Sequence, residues 1–147
     1  MKEQDKLLLL KDLCARLPYG VKCADFRYDE DGEKVATIDI LEAIYPNRQV
    51  YKYESLLSIH HISRIKPYLR PMSSMTEEEK KEFDILFNKW HDDELFDYIE
   101  EGTEFSIWKH KGISPVVFDW LNKCHFDYRG LIPIGLALEA PEGMYNK

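Results

Sequence analysis

Basic and aromatic side chains alternate between residues 48 and 70. The segment holds one acidic residue, Glu54, and five basic ones, Arg48, Lys52, Arg64, Lys66 and Arg70, with Tyr51, Tyr53 and Tyr68 among them. Cations beside aromatic rings can hold phosphates and stack bases, as in proteins that bind single-stranded nucleic acid. The alternatives are a strand edge that docks against the acidic second half of the chain, or a solvated face. The candidate interaction surface comprises Arg48, Tyr51, Lys52, Tyr53, Arg64 and Lys66.

Two histidines and two aspartates follow the ligand order of a metal site. His61 is followed thirty residues later by the pair His91-Asp92, and Asp127 comes at a further distance. Imidazole and carboxylate ligands suit a divalent metal ion that activates water. This order resembles that of HD-type phosphohydrolases, which are helical bundles, whereas His61 lies in a stretch that reads as β-rich. A metal-dependent phosphohydrolase is therefore an alternative hypothesis, beside the simpler one of solvated side chains.

The other residue types that carry chemistry point to no reaction. Three cysteines, Cys14, Cys23 and Cys124, form no close pair, which favours a reduced, cytoplasmic protein. Cys14 and Cys124 fall on helical stripes that we predict to be buried, where cysteine behaves as a small hydrophobic residue. The chain has no glycine-rich phosphate loop and no nucleophile elbow. We therefore expect no catalytic residue, no cofactor and no metal.

The charge is distributed unevenly along the 147 residues. The net charge is -7, yet residues 1–70 carry 12 basic against 11 acidic residues, and residues 71–147 carry 8 against 16. An acidic protein repels nucleic acid at long range, so we do not expect nucleic-acid binding. The apolar run near the start ends after Leu10 without a cleavage site, and no segment is long enough to span a membrane.

The first half of the chain predicts a helix and a small antiparallel sheet. Leu7, Leu10, Cys14 and Leu17 share one helical stripe, and Pro18 and Gly20 end the helix. Apolar residues alternate on either side of Asp31-Gly32, which indicates a hairpin. Further strands are expected over 49–55 and near 58–61. The sheet could curl into a barrel, and its apolar face needs a cover, either the first helix or the second half of the chain.

The second half of the chain predicts helices. The segment 70–75 is the expected joint, and Thr76 with Glu79 forms a capping box before a stripe of Phe83, Leu86, Phe87 and Trp90. A second helical piece over 92–102 and a third that begins at Pro115 follow. The tail 125–141 is rich in Leu and Ile, so we expect it to fold back over these helices as core. The halves are taken as 1–72 and 73–147, in two domains or one.

Three strings of the sequence carry a resemblance. They are KDLCARLPYGVKC (11–23), KPYLRPMSSMTEEEKKEF (66–83) and HFDYRGLIPIGLALEAPEGMY (125–145). They resemble small proteins without an assigned function from gut-bacterial phages, prophages and mobile elements. The resemblance implies a phage or mobile-element origin and a cytoplasmic setting, and it carries over no catalytic or binding residue.

Together these features predict an α+β protein with a non-enzymatic accessory or protein-interaction role. The partner is expected to be another protein rather than a nucleic acid or a membrane. The oligomeric state stays open. Weak nucleic-acid binding through 48–70 and metal-dependent phosphohydrolysis through His61, His91, Asp92 and Asp127 are the alternatives.

Overall fold

The protein is an α+β structure, as the sequence predicts. The computed structural model describes residues 1–45, 50–53, 59–88 and 115–145, and at 27, 50–53, 59, 60, 87 and 88 it describes the backbone alone. The chain forms two compact units, the first from 1–68 with 135–138 and the second from 69–134 with 139–147. Within the described ranges, no helix combines the length and apolar character that a membrane crossing requires.

In the described residues, one helix is followed by five strands, two helices and a short final strand. In order they are α1 (Glu3–Arg16), β1 (Lys22–Tyr28), β2 (Lys34–Tyr45), β3 (Val50–Tyr53), β4 (Ile59–His61), β5 (Ile65–Leu69), α2 (Glu77–Asn88), α3 (Pro115–Lys123) and β6 (Leu138–Glu139). The strands lie in the order β4-β3-β2-β1-β5-β6. The pairs from β4 to β5 are antiparallel. The sheet is open, so the suggestion of a barrel is wrong.

The predicted hairpin forms the centre of the sheet. β1 and β2 pair from Lys22 opposite Ile40 to Tyr28 opposite Lys34. The Asp29 carboxylate accepts hydrogen bonds from the backbone N–H groups of Asp31 and Glu33 and so closes the turn. Such Asx geometry lets the side chain replace a backbone acceptor. Gly32 has φ 78°, a conformation that L side chains rarely adopt.

Helix α1 buries a different face from the predicted one. Its buried residues are Leu9, Asp12, Leu13 and Arg16, whereas Leu7 is 61% exposed and Cys14 is exposed. Because four leucines follow one another, two different faces of α1 are apolar enough to be buried. The face that we predicted to be buried is the one without charged residues. The charged residues Asp12 and Arg16 are buried because they pair with each other, at 2.9 Å between carboxylate and guanidinium.

The second unit begins with the predicted capping box. The Thr76 N–H donates to the Glu79 carboxylate at 3.0 Å, and the Glu79 N–H donates to the Thr76 hydroxyl at 3.2 Å. Helix α2 follows, with Phe83 buried and Leu86 packed against the core. Trp90 and the predicted helical piece over 92–102 lie outside the described residues, as does the side chain of Phe87.

Helix α3 supplies the other wall of this core. Val117 and Leu121 are fully buried and Trp120 is half-buried. Cys124 is nearly buried, which confirms its predicted position on a buried helical stripe. The segment 70–75 contributes Met72 and Met75 to the same core. A buried hydrogen bond of 2.8 Å from the Tyr128 hydroxyl to the Asn122 amide oxygen ties the tail to α3.

The tail is core, as its composition predicts. Leu131 is fully buried in the second unit, and Leu136 and Ala137 are buried in the first. Asp127 accepts hydrogen bonds from the N–H groups of Leu131 and Ile132 at 2.8 and 2.9 Å, which closes a turn at the start of the tail. Ile134 is the exception, with 48% of its surface exposed.

Candidate functional site

Part of the predicted basic surface lies on one face of the sheet in the first unit. Lys66 is opposite Ala24, and its ammonium is 5.9 Å from the centre of the Phe26 ring. Arg64 instead donates to the buried Asp25 carboxylate and to the Phe26 carbonyl, both at 3.4 Å. Arg48 lies outside the described residues. Tyr51, Lys52 and Tyr53 form β3, of which the backbone alone is described.

The same face carries aromatic and aliphatic groups that the sequence assigned to a covered sheet face. Phe26 is opposite Ala36, and Ala24 is opposite Ile38, so these residues share a face with Tyr28. Tyr28 is 74% exposed and Ile38 is 52% exposed. The Lys34 ammonium lies 4.6 Å from the centre of the Phe26 ring. We name Phe26, Tyr28, Lys34, Ile38 and Lys66 the open sheet face.

On β1 and β5 the opposite face of the sheet is buried. Cys23 and Asp25 on β1 are buried, as are Ile65, Pro67 and Leu69 on β5. Burial raises the pKa of the Cys23 thiol, and the negative charge of Asp12 on α1 raises it further. The sheet therefore has one core side and one side with apolar groups and lysines at its surface.

A second candidate surface lies in the second unit, where a cleft of about 510 Å³ is lined by charged and aromatic side chains. The lining residues are Arg70, Glu82, Trp120, Lys123, Cys124, His125 and Tyr145. The Trp120 indole N–H donates to the Glu82 carboxylate at 3.2 Å. The rings of His125 and Tyr145 stack at 3.9 Å. The volume is in the range of sites that hold small molecules or peptide side chains.

An adjoining cleft of about 640 Å³ is acidic. It shares Arg70, Glu82 and Tyr145 with the first cleft, so we name the two together the C-terminal groove. In the lining of this second cleft, the described carboxylates are Glu78, Glu79, Glu82, Glu139 and Glu142. The only described cation in the lining of the second cleft is Arg70.

Arg70 and Glu79 form the floor between the two clefts. The Arg70 guanidinium donates to both carboxylate oxygens of Glu79, at 2.6 and 2.7 Å, and lies 4.3 Å from the centre of the Phe126 ring. Burial alone would raise the pKa of Glu79, but the hydrogen bonds and charge of Arg70, with the bonds to Thr76, hold it below its ordinary value. The Glu79 carboxylate is therefore ionised at neutral pH.

His125 is held in an unusual backbone conformation at the end of α3. Its φ is 61°, the only described residue other than glycine with a positive φ. The N–H of His125 donates to Asn122 and that of Phe126 to Leu121, which is the Schellman arrangement that normally places glycine at this position. A histidine here costs conformational energy, and its ring lines the cleft.

The residues of the phosphohydrolase hypothesis are distributed over the chain. His61 is exposed at the end of β4, and its Nδ1 lies 2.8 Å from the Ser63 hydroxyl. Asp127 is fully buried in the second unit, where both carboxylate oxygens accept backbone N–H groups. His91 and Asp92 lie outside the described residues. Within the described part of the chain, no three His, Cys, Asp or Glu side chains are grouped to hold a metal ion. The set stays a hypothesis.

The open sheet face and the C-terminal groove both combine aromatic groups with charges, as protein interfaces do. The hairpin register alone places Ile38 opposite Ala24, but Lys66 comes beside them only through the pairing of β1 with β5, which the sequence did not predict. Comparison of the chain with protein-family models, with curated proteins and with solved structures finds no match.

Proposed function

We propose that this chain is a non-enzymatic accessory protein that binds a partner protein through the open sheet face. The observation that carries the proposal is the exposure of Tyr28 and Ile38 next to an aromatic ring that two lysines approach. The resemblance of the sequence supports a phage or mobile-element origin. We further propose a cytoplasmic setting, in keeping with three cysteines that form no disulfide.

Exposure of apolar side chains on a sheet to water is energetically unfavourable. Burying Tyr28 and Ile38 in an interface would contribute about 1.5–3 kcal/mol for each side chain. Apolar groups that cluster at a surface and are bordered by charges typically mark an interaction site. Lys34 and Lys66 supply this border and favour a partner with acidic residues around its own apolar contact.

A single-stranded nucleic acid is the rival partner for the same face. Lysines around an aromatic ring on a sheet resemble a stacking platform. A net charge of -7 opposes the approach of a polyanion, and Ile38 offers a base nothing to stack on. The balance favours a protein.

The test is recovery of a partner that depends on this face. We would purify the tagged full chain from its host of origin and compare it with the double variant Tyr28→Ser/Ile38→Asp. Ile85→Asp is the matched control, because Ile85 is 72% exposed on α2 and belongs to the second unit. We expect one protein to co-purify with the parent and the control and to be lost from the double variant.

Two results would contradict the proposal. One is an identical set of recovered proteins from the parent and the double variant. The other is salt-sensitive, sub-micromolar binding of single-stranded DNA in a mobility-shift assay that the double variant abolishes, which would make the partner a nucleic acid.

A further inference from the structure

We propose that the C-terminal groove is a second binding site, which takes a short peptide segment carrying a lysine or arginine beside an apolar side chain. It belongs to the second unit and shares no residue with the open sheet face. This proposal is therefore independent of the function proposed above, and the two can be tested separately.

The shape of the groove favours an extended ligand. Its two clefts, of about 510 and 640 Å³, have Arg70, Glu82 and Tyr145 in common. Each has the volume of a pocket for one drug-sized group. A ligand that fills one cleft can therefore continue into the next, as consecutive side chains of a peptide do.

The charge of the groove selects a cation. The Arg70 guanidinium donates to both carboxylate oxygens of Glu79 and also to the Ser74 carbonyl, so the positive charge in the acidic cleft is already matched by Glu79. Glu78, Glu82, Glu139 and Glu142 also line this cleft. A lysine or arginine would reduce the repulsion among these carboxylates, whereas an anion would increase it.

The first cleft supplies the aromatic half of the site. Trp120 and Tyr145 line it, and aromatic rings attract ammonium and guanidinium groups as well as apolar side chains. The hydrogen bond from the Trp120 indole fixes the Glu82 carboxylate next to the ring. Because Arg70 and Lys123 also line this cleft against one carboxylate, Glu82, the first cleft takes the apolar side chain of the peptide, and the cation lies in the acidic cleft.

The walls of the groove are held in place before any ligand binds. The bidentate Arg70–Glu79 pair joins the end of β5 to the start of α2, and the backbone of Arg70 bonds to His125 and Asp127 at 2.8 Å. The left-handed conformation of His125 is retained at the cleft, where glycine would cost less. Strain of this kind gathers at binding sites. A rigid groove loses little entropy when it binds.

The experiment uses three labelled peptides with the full chain. The probe is Leu-Lys-Phe-Lys-Leu, and in the two comparison peptides both lysines are replaced by glutamine or by glutamate. We expect fluorescence anisotropy to show the lysine peptide binding at least about tenfold more tightly than the glutamine peptide, and more weakly as salt increases. The glutamate peptide should not bind.

The variants locate the site. Glu82→Gln/Glu139→Gln/Glu142→Gln should weaken binding of the lysine peptide at least about tenfold. Glu30→Gln/Glu33→Gln/Glu77→Gln is the control with the same change of charge, because all three residues are exposed and line neither cleft. Circular dichroism checks folding, and Glu139→Gln/Glu142→Gln alone, at exposed positions, gives a variant without change in α2.

A second measurement reports on the first cleft. In a Cys14→Ser background, bound peptide should slow the modification of Cys124, which lines that cleft and is 7% exposed. The proposal is overturned if the lysine peptide fails to bind at about 1 mM. It is overturned equally if the triple variant binds as the parent does, or if the glutamine peptide binds as tightly as the lysine peptide.

Discussion

Two charged residues of α1, outside the stripe that the sequence predicts, lie inside the first unit. Asp12 and Arg16 are both fully buried on α1, and the guanidinium donates to both carboxylate oxygens, at 2.9 and 3.1 Å. The hydropathy of single residues predicts the wrong buried face for α1, because it counts each charge separately. In the structure the two charges are buried together as a pair. Sequence spacing of four residues allows such a pair but does not say which side of the helix faces the core.

This pair gives a prediction for stability. Arg16→Ala should lower the free energy of unfolding by about 3–5 kcal/mol, because the Asp12 carboxylate would stay buried without its counter-charge. The double variant Asp12→Leu/Arg16→Met should recover most of that loss. Urea denaturation measures both. A loss below about 1 kcal/mol for Arg16→Ala would mean that the pair is solvated in the folded protein.

The cysteines give a second prediction at this scale. Cys14 is exposed and Cys23 is fully buried, with the pKa of its thiol raised by burial and by Asp12. Since the thiolate is the reactive form, a disulfide reagent at pH 8 should modify Cys14 quickly and Cys23 only after unfolding. Cys14→Ser should remove the fast phase, and Cys23→Ser should leave it unchanged. A fast phase that survives Cys14→Ser would place another thiol at the surface.

At the scale of elements, the sequence predicted turns and helix starts correctly, but it did not predict correctly which face of an element is buried. The Asp31-Gly32 hairpin, the Thr76–Glu79 capping box and the start of α3 at Pro115 all depend on contacts within a few residues. The exposed side of the hairpin depends on which layer covers it, and Tyr28 and Ile38 therefore could not be placed from the strand pattern. The groove was not predicted, because Arg70, Glu82, Trp120 and Tyr145 are far apart in sequence.

The start of α2 makes a prediction about pH. Glu79→Gln should lower the free energy of unfolding by about 1.5–3 kcal/mol at pH 7, because it removes the charged partner of Arg70. The pKa of Glu79 is lowered by folding, so its ionised form stabilises the folded state above the unfolded pKa, about 4.3. The stabilisation is lost as pH falls through the lower, folded value. The parent and the variant should therefore differ by a constant amount from pH 7 to about pH 5.5 and converge at lower pH.

Thermal or urea unfolding at several pH values tests this behaviour. Glu77→Gln is the control, since Glu77 contacts only Lys80, at 3.4 Å, among its described ion pairs. A difference between parent and Glu79→Gln that grows as the pH falls would contradict the assigned direction of the pKa.

At the scale of the molecule, the composition of the tail predicted its burial but not its destination. Leu131 lies in the second unit, whereas 135–138 belongs to the first, and the backbone turns at Gly135 with φ 79°. Nothing in the alternation of Leu and Ile distinguishes these destinations. The hydrophobic pattern predicts that a side chain is buried, but it does not predict which residues the side chain contacts.

Deletion of the tail should affect both units. A chain that stops at Tyr128 loses Leu131 from one core, and Leu136 and Ala137 from the other. Since a domain of this size is stable by only about 5–15 kcal/mol, we expect the truncated protein to melt without cooperativity or to be insoluble. Calorimetry tests this, with Ile134→Ala as a control at an exposed position. An unchanged melting midpoint would show that the tail is dispensable for folding.

The exchange of chain between the two units has a consequence for synthesis on the ribosome. Residues 1–68 leave the ribosome first, yet their unit also includes 135–138, which follow only after all of 69–134 have been made. The first unit therefore stays incomplete, without the buried side chains of Leu136 and Ala137, while the second is being synthesised. Such a nascent chain is a natural client for a chaperone, and slower translation should prolong its exposure.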